Sequence, residues 1–148
     1  MIDKNLKALE SKLAVVPSFI SLGMKLGSVE HRPGTEVLGE SFVFNYANSD
    51  MRAIQVIYHP RSNDKGYFLV NLVNTENNDV FNLEDWLKKH KLLEQPDPFR
   101  LLSYPGSTLD KMDSFMTYLD LLLQKEDLKC ILQGKTWELV AFNWAGMK

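Results

Sequence analysis

The sequence has a single cysteine, Cys130, so no disulfide can form within the chain. It has three histidines, His31, His59 and His90, far apart and in no HxxxH or HExxH spacing, so no metal site is legible. No run approaches the ~20 apolar residues a membrane-spanning helix needs. The opening MIDKNLKALESKLAVV is interrupted by charges throughout, unlike a signal peptide. A formal net charge of −2 does not favour a general nucleic-acid binder. GSVEHRPG has glycines but no lysine followed by serine or threonine, so no phosphate loop is present. These absences predict a cytoplasmic chain with no cofactor, no metal, and neither membrane nor nucleic acid as partner.

What is present reads as a single α+β domain over residues 1–148, with 45% hydrophobic and 24% charged residues. Ile2, Leu6, Leu9 and Leu13 recur at helical spacing behind Asp3, and Pro17 stops that helix. PSFISLGMKLGSVEHRPGT reads mostly as connector, with room for a short helix after Ser18. Three period-two runs follow. Leu38, Phe42, Phe44 and Tyr46 form one face, Ile54, Val56 and Tyr58 the next, and Phe68, Val70 and Leu72 the third. Asn71 and Asn74 suit the wetter side. Short polar linkers make these a three-strand antiparallel meander.

The period then changes. Asn82 with Asp85 opens one helix, and NTENND before it reads as a turn. The cluster Lys88, Lys89, His90 and Lys91 sits where that helix ends, a placement its dipole favours. EQPDPF breaks the helix, and Ser107 with Asp110 opens a longer one. Leu109, Met112, Met116, Leu119 and Leu123 make the stripe of that helix. EDLKCIL is a last short helix ended by Gly134, with Cys130 in it as a small buried thiol.

Two of the three tryptophans, Trp137 and Trp144, stand in the last twelve residues together with Phe142. TWELVAF alternates like a strand, so it is expected to join the meander as a C-terminal strand with the helices packed on one face of the sheet. Trp144 and Phe142 as exposed partner anchors remain the other reading.

No catalytic constellation emerges from these residues, and two function classes remain. The first is a protein-binding domain. Asp110, Asp113 and Asp120 line one side of the long helix at i, i+3 and i+10, and Glu126 and Asp127 follow. Such a row, with Trp144, would meet a basic protein partner through complementary fields. The second is a small-ligand-binding protein or enzyme with a site between sheet and helices, where Tyr46, Tyr58, His59 and Arg61 are the first candidates.

The ending WELVAFNWAGMK, with the general layout, resembles the Trp-rich endings of small bacterial proteins of the toxin-immunity kind. That resemblance implies a compact α+β domain that neutralises a toxin by direct binding. It brings no catalytic residues with it.

Overall fold

The computed structural model describes residues 4–34, 39–60 and 66–140. Helix α1 (Lys4–Ala14) and the short α2 (Pro17–Ser21) lead into strands β1 (Lys25–Arg32), β2 (Ser41–Ala47), β3 (Arg52–His59), β4 (Tyr67–Asn74) and β5 (Asp79–Asn82). Helix α3 (Leu83–Lys89), a 3-10 turn (Leu101–Ser103), α4 (Thr108–Leu123) and α5 (Glu126–Leu132) complete the order. The strands form one antiparallel sheet in the order β1-β2-β3-β4-β5, and the fold is α+β. Among the described residues, no helix is long and apolar enough to cross a membrane.

The expected meander is the centre of this sheet. Register places Phe42, Tyr58 and Phe68 side by side, then Phe44, Val56 and Val70, then Tyr46, Ile54 and Leu72. All nine are buried in one core with the inner sides of α1 to α5. At its centre the Phe68 and Phe115 rings stack at 4.2 Å with 1° between planes, and Phe99 meets Phe115 edge-on at 5.6 Å. Leu38, expected on the first face, lies outside the described residues.

The opposite face is crossed by a row of amides. Asn45 Nδ2 donates to Ser28 Oγ at 3.0 Å, Gln55 Nε2 to Asn45 Oδ1 at 3.1 Å, Asn71 Nδ2 to Gln55 Oε1 at 3.0 Å, and Asn82 Nδ2 to Asn71 Oδ1 at 3.3 Å. Side chains directly opposite one another on paired strands sit close enough to bond this way. Asn71 is thus on the wetter side as expected. Asn74 is not: it is buried on the core side at the end of β4, and its Oδ1 accepts the Glu76 N–H at 3.0 Å.

Three segments depart from the sequence reading. Residues 25–32, read as connector, are the strand β1; all eight are exposed and a bulge interrupts them at Gly27, so no alternation marks them. NTENND is a turn as expected, but β5 starts on its last residue and runs only four residues, too short to carry a period. The expected C-terminal strand does not form over residues 136–140, and 141–148 lie outside the described residues. Side chains anchor this segment instead. Trp137 packs on Phe81 at 5.1 Å and donates from Nε1 to Asp79 at 2.7 Å. Glu138 receives Trp86 Nε1 at 2.9 Å, Lys89 Nζ at 2.7 Å and His90 Nε2 at 2.8 Å. Burial opposes the charge of Glu138, but these three donors outweigh it and hold the carboxyl below its ordinary value.

The capping signals of α3 and α4 formed as read, while Asp3, expected to open the first helix, and Ile2 lie outside the described residues. Asn82 Oδ1 accepts the Asp85 N–H at 3.1 Å, and Ser107 and Asp110 make a reciprocal box at 3.2 and 3.1 Å. Gly134 ends α5 at φ +77, and a Cβ there would meet Asp50 O at 2.8 Å, so only glycine fits.

Candidate functional site

Helix α2 begins at Pro17, which needs no hydrogen-bond acceptor, and Val16 before it offers no capping side chain. The first free N–H of α2, that of Ser18, is taken by Asp120 Oδ1 on α4 at 2.8 Å. Ser18 Oγ donates to Asp120 O at 3.2 Å, and Gln124 Nε2 to Asp120 Oδ2 at 2.9 Å. Two turns earlier on α4, Asp113 pairs with Lys12 of α1. These two carboxylates therefore hold both amino-terminal helices to the long helix.

Between the three helices lies a groove of about 410 Å³, lined by Lys12, Val15, Val16, Pro17, Asp113, Met116, Thr117 and Asp120. Val15 on this groove is 68% exposed. Ile20 lies one turn beyond Pro17 on α2, and Leu121 one turn beyond Thr117 on α4; they are 64% and 60% exposed. Solvated aliphatic side chains next to an ion pair give this region a mixed apolar and charged character.

The acidic row of the sequence is thus divided by the fold. Asp113 and Asp120 meet in the groove. Asp110 is committed to the start of α4, where hydrogen bonds from the Ser107 backbone and side chain hold its carboxyl below the ordinary value. Glu126 and Asp127 are exposed in the first turn of α5. Trp144 lies outside the described residues. Cys130 is half-buried rather than buried; burial and the Glu126 carboxylate, 3.5 Å from its sulfur, push the thiol up, away from nucleophile chemistry.

The residues of the ligand-site reading do not converge. Tyr46 and Tyr58 are both buried in the core, four positions apart along the sheet, since Tyr46 pairs with Ile54 while Tyr58 pairs with Phe42. Burial, then Glu10, pushes the Tyr46 hydroxyl up to about 12, so it stays protonated. His59 falls on the opposite face, stacked on Tyr67 at 4.5 Å. Arg61 lies outside the described residues. The space between sheet and helices, where that site was expected, is occupied by the core side chains.

A second, smaller groove of about 280 Å³ lies on the amide face, lined by Leu69, Asn71, Asn82, Glu84 and Asp85. Glu84 sits beside Asp97 from the loop before the 3-10 turn. Burial, the Asp97 charge and a shared hydrogen bond push Glu84 up to about 7, while Lys88 and Arg100 only partly offset this. The sequence offered no signal for this pair, because thirteen positions of chain separate its members and only the fold closes the gap.

A pH dependence follows. A carboxyl with a raised folded value binds its proton more tightly in the folded state, so stability falls as pH rises from about 4.5 to about 7. Solvent screening limits the loss to about 1 kcal/mol. Glu84→Gln keeps a hydrogen-bond donor toward Asp97 and removes the charge. Urea titrations should then show the variant more stable than the parent at pH 8 and level with it at pH 5; a variant weaker at both would mean that the raised Glu84 carboxyl does not set this pH dependence.

No protein-family model matches this chain, and neither a curated protein nor a solved structure matches it.

Proposed function

We propose that the chain is a non-enzymatic protein-binding domain, and that the groove between α1, α2 and α4 is its docking surface. The supporting observation is the mixed surface there: solvated Val15 on the groove and Ile20 and Leu121 beside it, with Lys12, Asp113 and Asp120 between the helices. Apolar side chains left in water next to charged groups are what a partner can desolvate, while the charges orient it. The Asp113 side chain keeps 61% of its surface exposed despite its lysine, so a basic residue of a partner can engage it. Exposed Glu126 and Asp127 at the start of α5 extend the acidic character and would act on association rate.

The concrete form of this reading is an immunity-type inhibitor that neutralises a toxin by binding a basic surface of it. A gene for such an inhibitor stands directly after the gene for its toxin. Co-expressed with that neighbour, the chain should relieve growth arrest and co-purify with the toxin domain. Val15→Asp combined with Leu121→Asp changes only exposed positions, and should weaken the complex by about tenfold or more, ~1.4 kcal/mol. A neighbouring gene that arrests nothing, or a double variant that binds as tightly as the parent, would overturn the reading.

A further inference from the structure

The two edges of the sheet are finished differently. β5 is four residues long, and Trp137 lies against it through Phe81 and Asp79. β1 is eight residues long with every residue exposed, and among the described residues no strand pairs with its outer side. A long exposed edge presents a row of backbone donors and acceptors that templates another strand. Leu26 and Val29, each 40% exposed, point to the helix side of the sheet and keep a large part of their apolar surface in water.

The side chains specify which strand this edge accepts. In a regular strand, residues an odd number of positions apart lie on opposite faces. The bulge at Gly27 reverses that rule across it. Lys25 and Glu30 stand opposite Ala47 and Val43, on the amide face; Leu26 and Val29 stand opposite Tyr46 and Phe44, on the helix face. A second β1, antiparallel to the first about a two-fold axis between Gly27 and Ser28, therefore sets Lys25 across from Glu30 of the second copy and Leu26 across from Val29. Symmetry makes each contact twice. Asn45 Nδ2, at 2.8 Å from Glu30 Oε2, holds that carboxylate over the amide face, and a carboxylate has further lone pairs to offer.

Neighbouring registers lack this match. With Gly27 bulged out of the ladder, an axis through Val29 brings Lys25 against Arg32 of the second copy, a like-charge pair. An axis through His31 sets Val29 against Pro33, which has no N–H to give to a ladder.

We infer that β1 is a self-association edge, joining two copies of this chain into one continuous sheet through Lys25–Glu30 and Leu26–Val29 pairs. Two short strands bury less than a standard interface, so the dimer is concentration-dependent. In sedimentation equilibrium the mass should climb from 17.0 kDa toward twice that value as concentration rises. Lys25→Glu alone and Glu30→Lys alone each oppose like charges at both ends, and should weaken dimerisation about tenfold or more. The double variant Lys25→Glu with Glu30→Lys restores opposite charges and should recover the parent's association. Val29→Lys, on the other face of the strand, should break it independently. Circular dichroism of each variant checks that these exposed changes leave the monomer folded. A parent that stays at 17.0 kDa throughout, single variants that dimerise like the parent, or a double variant no better than the singles would each overturn the inference.

Discussion

Phe115→Ala should cost about 3–5 kcal/mol of folding stability. Phe115 is fully buried on the inner side of α4. Its ring stacks on Phe68 of β4 at 4.2 Å, meets Phe99 edge-on at 5.6 Å, and stands 6.5 Å from Tyr118. It is the point where the long helix, the sheet and the loop before the 3-10 turn meet. Truncation removes the transfer energy of the ring and leaves a void that three flanking aromatics cannot close without leaving their rotamers. Against a total stability of 5–15 kcal/mol for an ordinary domain, the loss removes a large share. Urea unfolding should show a lowered midpoint with an unchanged slope. A loss below about 1 kcal/mol would mean that this contact does not organise the core.

Arg52→Ala should cost about 2–4 kcal/mol, more than removal of a surface charge, because the side chain is buried and all three of its nitrogens donate to backbone carbonyls. Only 5% of Arg52 is exposed. From the start of β3 its Nε donates to Ile131 O at 2.7 Å, one Nη to Met51 O at 3.1 Å, and the other to Thr136 O at 3.1 Å. The Ile131 carbonyl belongs to the last turn of α5, where a cation also meets the negative end of the helix. The same group lies 5.2 Å from the Trp137 ring centre. Without it, the Thr136 carbonyl loses its donor, the Ile131 and Met51 carbonyls keep only the N–H groups of Gly134 and Thr75, and the segment after Gly134 loses one of its two attachments to the sheet. Arg52→Lys should restore little, since a lysine ammonium cannot span three carbonyls in a planar fork. The readouts are the unfolding midpoint and Trp137 fluorescence, which should shift toward the solvated value in the variant before global unfolding. An unchanged midpoint would assign the anchoring to Glu138 and Trp137 alone.

That attachment answers why tryptophan stands so late in the chain. The alternation in TWELVAF, read as a strand, reflects side chains reaching to two different places: Trp137 toward Phe81 and Asp79, Glu138 toward Trp86, Lys89 and His90. The basic residues ending α3, read as partners of its dipole, also supply two of the donors to Glu138. Period two in a sequence records alternating environments, and a strand is only one way to create them.

Local chemistry was enough for the centre of the molecule. Phe42 to Leu72 alternate because one side of each strand is buried in the core while the other, Val43 and Ile57 apart, is more open, and that pattern survives in any arrangement that keeps the meander. Asn82 and Ser107 cap their helices through atoms three residues away, so the signal and the structure occupy the same stretch of chain. What required the tertiary structure was everything joined across long separations. β1 carries no alternation because neither of its faces is covered and a bulge breaks its parity. Asp113 and Asp120 look like a solvated face of α4 until α1 and α2 return to them, about a hundred residues apart in the chain. Tyr58 and His59 are neighbours in sequence, yet the pleat sends one into the core and the other to the amide face. The Glu84 carboxyl is pushed up by burial and by Asp97 beside it only because the loop before the 3-10 turn folds back onto α3. Short-range hydrogen bonds and burial periods are written in adjacent residues; the juxtaposition of distant charges is a property of the packed chain.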